Sequence, residues 1–109
     1  MIAYEVTVEV DETLVEPFLE FMRARHIPRI LATGCFSHAE FNRATETRFR
    51  QRYLADTLAD LERYLERHAP ALRAEYTREF PEGTRLTREI WEELNRWNAG
   101  DAAARRGSE

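Results

Sequence analysis

The sequence predicts an α+β fold of the ferredoxin-like type, a four-stranded antiparallel sheet with two kinked helices on one face. Residues 2–10 alternate between apolar and polar side chains, which is typical of a half-buried strand. Residues 15–26 and 58–76 repeat apolar side chains at steps of three and four, as helices with one buried face do. Together with the remaining strand-like stretches they give the order βαββαβ, and two βαβ halves in that order make this fold.

The first strand places every second side chain on one face, and these side chains are apolar. They are Ile2, Tyr4, Val6, Val8 and Val10. Either Asp11 or Thr13 would then cap the first helix, because both side chains accept hydrogen bonds from backbone N–H groups. Pro17 favours Thr13, since the proline then forfeits only the first helical hydrogen bond.

The first helix is predicted to break at His26-Ile27-Pro28. Its apolar stripe consists of Val15, Phe18, Met22 and His26. Pro28 suits the first position of a short new helix that ends at Ala32, and Gly34 suits the left-handed residue that follows a helix. A similar element, His68-Ala69-Pro70, predicts a matching kink in the second helix.

The second half of the chain is predicted to add three strands and a helix. Residues 35–44 and 48–55 read as the second and third strands, joined by a short turn. Asp56 or Thr57 caps the second helix. Its apolar stripe consists of Leu58, Leu61, Leu65, His68, Leu72 and Tyr76. Residues 84–94 fit both helical and strand spacing, and we expect a strand because the sheet needs a fourth one.

A chain of 109 residues has the length of one domain. We expect this domain to span residues 1–95, and residues 96–109, which are small, polar and aperiodic, to form a frayed tail. No apolar run approaches the ~20 residues that a membrane helix needs, and the N-terminus lacks the basic segment of a secretory signal. The single cysteine, Cys35, cannot form an internal disulfide, so we expect a cytoplasmic location.

Several classes of function are disfavoured by composition. All 16 basic residues are arginine, which excludes Schiff-base chemistry and a phosphate-loop lysine. The net charge of −4 argues against nucleic-acid and membrane partners. The aromatic side chains of residues 48–53 alternate away from the arginines, so they should not stack on RNA bases. Haem is not expected either, because Cys35 has no second cysteine for covalent attachment, and we predict no cofactor.

Several separated motifs resemble one bacterial family at matching spacing from Met1 to Leu94. They are Met1-Ile2-x-Tyr4-x-Val6-Thr7-Val8, Phe21-Met22, His26-Ile27-Pro28, Thr33-Gly34-x-Phe36, and Tyr64 with His68-Ala69-Pro70-x-Leu72-Arg73. The family is known as domain of unknown function 4286 and is placed among the dimeric α+β barrels. The resemblance implies a ferredoxin-like sheet whose open face pairs with that of a second subunit, and hence a homodimer. It implies no activity.

A row of charged side chains should lie on the sheet face away from the helices. The first and third strands are central neighbours in this fold, so Glu5, Thr7 and Glu9 come to lie beside Arg48, Arg50 and Arg52. One interpretation is cross-strand ion pairing, at ~0.2–1 kcal/mol per pair. The other is an anion-binding pocket lined by the three arginines and Glu5, because a guanidinium group suits carboxylate or phosphate. We favour ion pairing, since opposite charges at matched spacing satisfy one another.

Two histidines on apolar stripes are the candidate catalytic residues. His26 and His68 each precede a proline, and the simpler interpretation is that each packs in the core and hydrogen-bonds a group freed by the helix break. The alternative is a general acid or base, with His26 ahead of His68 because EthD-like members of the dimeric α+β barrels have a similar element. His26, His38 and His68 lie on three elements without an i, i+4 pair, so no metal site is expected.

Two functions therefore remain open. The first is a small cytoplasmic homodimeric protein that acts as a binding or accessory module without catalysis. The second is a small-molecule enzyme with His26 as acid or base and an arginine-lined pocket for an anionic substrate. An enclosed cavity that reaches both His26 and the arginine row would favour the enzyme. A filled interior with self-paired charges would favour the module.

Overall fold

The predicted fold class is confirmed by the structure, a computed structural model that describes residues 1–100. The strands are β1 (Ile2–Val10), β2 (His38–Arg43), β3 (Arg48–Ala55) and β4 (Thr84–Glu92). The helices are α1 (Val15–Phe21), α2 (Ile27–Ala32), α3 (Leu58–Arg67) and α4 (Ala69–Glu79). The strands form one antiparallel sheet in the order β2-β3-β1-β4. The sheet does not close into a barrel within this part of the chain.

The register of β1 and β3 sets the two faces of the sheet. Glu5 lies opposite Arg52, Thr7 opposite Arg50, and Glu9 opposite Arg48. The three residues of β1 thus lie beside the three arginines, as predicted. The intervening side chains of both strands point to the helices and form the core. The largest of the fully buried side chains are Tyr53, Phe18, Phe49, Met22, Leu61, Gln51 and Val8. We call the helix side the inner face and the opposite side the outer face.

Asp11, and not Thr13, caps the first helical region. Its carboxylate accepts hydrogen bonds from the Thr13 backbone N–H (3.1 Å) and hydroxyl (3.0 Å). Thr13 itself lies inside a 3₁₀ turn, Glu12–Leu14, that leads into α1. This start of the helix also accommodates Pro17, the third residue of α1. Pro17 lies in the first turn, where backbone N–H groups have no intrahelical partner.

The chain stays helical through His26-Ile27-Pro28, where the sequence predicts a break. Residues Met22–His26 form a π turn, in which the Ile27 N–H bonds to the Met22 carbonyl five residues earlier. Pro28 has no N–H to offer an α-helical bond, and the wider turn lets the chain pass it without leaving the helix. The predicted left-handed Gly34 after α2 is found, with φ of +76°.

The second kink lies where it is predicted, at His68. This residue has φ −120° and ψ −38° and separates α3 from α4. Of the two predicted caps of α3, Thr57 is the one used, since its hydroxyl oxygen accepts a hydrogen bond from the Asp60 N–H (3.2 Å).

The ambiguous stretch before the C-terminus is a strand, because β4 pairs with β1 along its whole length. The second strand is shorter than the predicted 35–44, since Cys35 and Phe36 turn into the core before β2 begins. Of the predicted tail, residues 101–109 lie outside the described residues.

Candidate functional site

The candidate site residues lie on opposite faces of the sheet. His26 belongs to the π turn and is buried in the layer between helices and sheet. Arg48, Arg50 and Arg52 project from the outer face, where β3 alternates between exposed and buried positions. The structure therefore does not bring His26 and the arginine row together in one pocket.

The arginines at the centre of the outer face already have partners. The Glu5 carboxylate lies 3.4 Å from Nε of Arg52 and 3.9 Å from Nη1 of Arg50. Arg52 also lies 4.0 Å from Glu40, and Arg50 donates to Oδ1 of Asn42 (3.2 Å). These contacts form the cross-strand lattice expected of opposite charges in register. They support ion pairing over an anion pocket at these residues.

An open cavity of about 870 Å³ lies at one end of the outer face, and Glu5, Glu40, Arg50 and Arg52 of this lattice are among its lining residues. Ala3, Leu54 and Trp91 line it from the sheet, and Leu94 and Trp97 line it from the segment that follows β4. The Glu93 N–H bonds to the Met1 carbonyl (2.9 Å), so this segment continues alongside the start of β1. The candidates from the sequence include Glu5, Arg50 and Arg52 of this lining, but neither Trp91 nor Trp97.

His26 is 8% exposed, and its ring lies between aromatic neighbours. The ring centroids are 5.4 Å from Phe21 and 5.6 Å from Tyr76. Burial lowers the pKa of His26 to about 4, and the carboxylate of Glu75 opposes this only in part. The ring is therefore neutral at pH 7. Its Nδ1 atom is buried without a hydrogen-bond partner in the described residues.

The other two histidines lie far from this position in the chain and in different surroundings. His68 is half-buried at the kink, with its ring 6.4 Å from Tyr64. His38 lies on the exposed β2 with Nδ1 3.4 Å from the Ser37 hydroxyl. Within residues 1–100, no three or more His, Cys, Asp or Glu side chains are grouped so that they could hold a metal ion. In the same range, no helix has both the length and the apolar character needed to cross a membrane.

A small internal pocket lies beside His26, between the helices and the inner face. Its volume is about 30 Å³, and Gln51, Arg73 and Arg88 are among its polar lining residues. These three residues were not candidates from the sequence. Gln51 could have been found from the sequence, because it is a polar residue at a core-facing position of β3. In the structure it is only 2% exposed. No sequence pattern indicates Arg73 or Arg88, since their positions at the pocket depend on how α4 and β4 pack.

The comparison with protein families confirms the resemblance seen in the motifs. The family model described as "Domain of unknown function (DUF4286)" matches residues 1–94. None of the curated proteins matches the chain significantly.

Solved structures with the same fold are similar over most of the chain. HapK from Hahella chejuensis is 11% identical, covers 91% of this chain and 98% of its own, and has a TM-score of 0.70. A dimeric ferredoxin-like protein from an uncultured marine organism is 8% identical, with coverages of 90% and 99% and a TM-score of 0.66. SnoaB, a cofactor-independent oxygenase from Streptomyces nogalater, is 13% identical, with coverages of 87% and 94% and a TM-score of 0.58. At these identities the likeness shows the fold alone.

Proposed function

Since this chain belongs to the family described as Domain of unknown function (DUF4286), we propose that it is a homodimeric binding or accessory module without catalysis. In the dimer, the outer faces of two sheets meet. One of the similar structures is described as a dimeric ferredoxin-like protein, which supports a dimer. A cytoplasmic location is part of the proposal and rests on the lone Cys35, which is buried as a free thiol.

The observation that carries the proposal is the composition of the outer face. Its centre holds as many arginines as glutamates on adjacent strands, namely Arg48, Arg50, Arg52 and Arg85 with Glu5, Glu9, Glu40 and Glu89. A face with both signs in alternation is self-complementary under a two-fold axis, because each arginine of one copy can meet a glutamate of the other.

The apolar end of the same face also favours a second copy as its cover. Trp91, Leu94 and Trp97 are 53%, 82% and 65% exposed, and all three line the outer cavity. Contiguous apolar patches of this kind mark interaction sites in soluble proteins. A domain of this size also gains from burying surface against a partner, since a small chain buries a smaller share of its own surface.

Catalysis is disfavoured by the interior. The pocket beside His26 has about 30 Å³, whereas small-molecule sites usually have ~300–1,000 Å³. The oxygenase activity of SnoaB is therefore not carried over to this chain. An anionic ligand at Arg50 and Arg52 is also disfavoured, because these two arginines already pair with the carboxylates of Glu5 and Glu40. The enzyme alternative needs both a substrate pocket at His26 and an anion site at the arginines, and each of these is disfavoured by a separate observation.

The mass of the protein in solution tests the proposal. We expect twice the 12.9 kDa of one chain by light scattering and native mass spectrometry at a protein concentration of about 10 μM, an ordinary working range for a homodimer. Trp91→Glu should yield monomers, because it replaces apolar surface in the interface with a negative charge. Leu58→Glu is the matched control, since Leu58 is also 53% exposed but lies at the start of α3.

Two results would contradict the dimer of outer faces. One is a wild-type protein that remains monomeric as its concentration is raised tenfold. The other is a dimer that survives Trp91→Glu and is lost in Leu58→Glu, which would place the interface on the helix side.

A further inference from the structure

All four tyrosines of the chain line the internal pocket of about 30 Å³. They are Tyr4, Tyr53, Tyr64 and Tyr76. The remaining polar lining comes from His26, Gln51, Arg73 and Arg88, and no carboxylate contributes to it. The pocket thus combines neutral hydroxyl groups with two positive charges, in a chain whose net charge is −4.

The tyrosine hydroxyls of this pocket are hydrogen-bond donors at neutral pH. Burial raises the pKa of Tyr53, Tyr64 and Tyr76 above the ordinary value for a phenol. Tyr53 donates to Oε1 of Gln51, and Tyr76 donates to the Thr84 hydroxyl (2.9 Å). These bonds order the lining and leave the amide N–H groups of Gln51 to be used by another acceptor.

The two arginines differ from those of the outer face because no carboxylate neutralises them. Arg73 donates to the Tyr4 hydroxyl (2.9 Å). Arg88 is exposed on the inner side of β4 and makes no hydrogen bond or ion pair with any residue from 1 to 100. Its charge nevertheless reaches the pocket. Burial is the main cause of the pKa shifts of His26, Tyr64 and Tyr76. The positive charge of Arg88 lowers the pKa of each of the three groups.

His26 supplies a second indication that the pocket takes a ligand. Its side chain lines the pocket, the residue is more than nine-tenths buried, and Nδ1 has no hydrogen-bond partner within residues 1–100. Buried polar atoms almost always have a hydrogen-bond partner, since an atom without one loses its hydrogen bonds to water and forms none in the protein. A neutral imidazole with the proton on Nδ1 would donate to an acceptor in the pocket.

We propose that this pocket binds a small monovalent anion of the size of formate, with Arg88 and Arg73 as its charge partners and Gln51 and His26 as neutral donors. The volume sets the size, because it corresponds to one or two water molecules. The charge follows from two arginines in a lining that contains no carboxylate. The site lies on the inner face, so it neither requires nor excludes the proposed dimer.

Formate titration followed by ¹H–¹⁵N NMR tests the site in the full-length protein. Ionic strength is held constant with sodium gluconate, whose anion is too large for the pocket. We expect saturable shifts of the Gln51 side-chain amide signals, with a dissociation constant on the order of 1 mM for so small a ligand. Arg88→Gln should raise that constant about tenfold, since it removes a charge-assisted contact.

Arg85→Gln is the matched control. Arg85 lies on the same strand as Arg88 and is also exposed, but it points to the outer face opposite Glu9. We expect the formate affinity of this variant to equal that of the wild type.

Either of two outcomes would overturn the site. The first is the absence of saturable Gln51 shifts in the wild type. The second is an equal loss of affinity in Arg88→Gln and Arg85→Gln, which would indicate general attraction of an anion to arginine. Translational diffusion measured in the same samples reports the dimer separately. Failure of the dimer and failure of the anion site are thus distinguishable.

Discussion

Two buried polar residues, His26 and Gln51, interrupt an otherwise apolar and aromatic core. They differ in how they are accommodated. Gln51 is partnered by the Tyr53 hydroxyl. Nδ1 of His26 has no partner within residues 1–100, and an unsatisfied buried group of this kind costs about 1–3 kcal/mol. His26 is therefore a residue whose replacement could stabilise the fold.

The charge state of His26 should make stability depend on pH. Its folded-state pKa of about 4 lies below the ~6.5 of an unfolded chain, so the unfolded state binds more protons between these values. The free energy of unfolding is then largest above pH 6.5, and it falls by up to about 3 kcal/mol as the pH drops to 4. His26→Phe, which keeps a ring between Phe21 and Tyr76, should remove that slope and retain stability at pH 7.

Denaturant unfolding at pH 4, 5.5 and 7 measures the difference. His38→Gln, a substitution on the exposed β2, serves as the control and should follow the wild-type profile. If His26→Phe keeps the full wild-type slope, other groups cause the pH dependence and the buried imidazole does not.

At the scale of elements, the strands could be predicted more fully than the helices. Alternation in residues 2–10 and 48–55 marks both the strands and their buried faces, because one face must meet the helices. Residues 84–94 could not be decided locally, since their spacing fits two periods. Pairing with β1 decides it. The π turn before Pro28 could not be predicted either, because the sequence shows only that one α-helical bond is missing.

The candidate site was less predictable than the fold, and β4 explains why. The position of the arginine row follows from alternation within β3 alone. The internal pocket instead requires Arg88 from the edge strand β4 and Arg73 from α4, and both line it together with Tyr4 of β1. No spacing along the chain joins these three residues.

The turn that leads into β4 depends on Gly83. This residue has φ of +87°, and a Cβ atom there would collide with the Leu14 side chain. Gly34 has a similar φ of +76° but open space around it. We expect Gly34→Ala to lower the free energy of unfolding by about 1–2 kcal/mol, the penalty for a left-handed L-residue. Gly83→Ala should lower it by roughly 1 kcal/mol more, because Leu14 must also move.

Equilibrium denaturation of the two glycine variants isolates this contact, since the backbone penalty is common to both. Equal losses would mean that Leu14 moves aside without cost. The turn would then impose only a backbone requirement.

For the whole molecule, the sheet separates a packed face from an open one. All of the helices described lie on the inner face, so the outer face is covered only by its own side chains and by the segment after β4. In the proposed dimer, this chain supplies one of two sheets that face each other. The stability of the fold should therefore be linked to association.

This linkage predicts a midpoint of thermal unfolding that depends on protein concentration. A partner that binds only the folded state stabilises it by mass action. For the wild type, we expect a tenfold increase in concentration to raise the midpoint by a few degrees, whereas Trp91→Glu should show no change. Differential scanning calorimetry gives both values. A wild-type midpoint that does not vary with concentration would count against the dimer.

The placement of aromatic residues has a practical consequence for optical work. Both tryptophans of the chain line the outer cavity, whereas every tyrosine lines the internal pocket. The two faces of the sheet therefore carry different chromophores. Indole emission reports events on the outer side and phenol absorption reports events on the inner side. One unlabelled sample can therefore follow subunit contact through its indole emission.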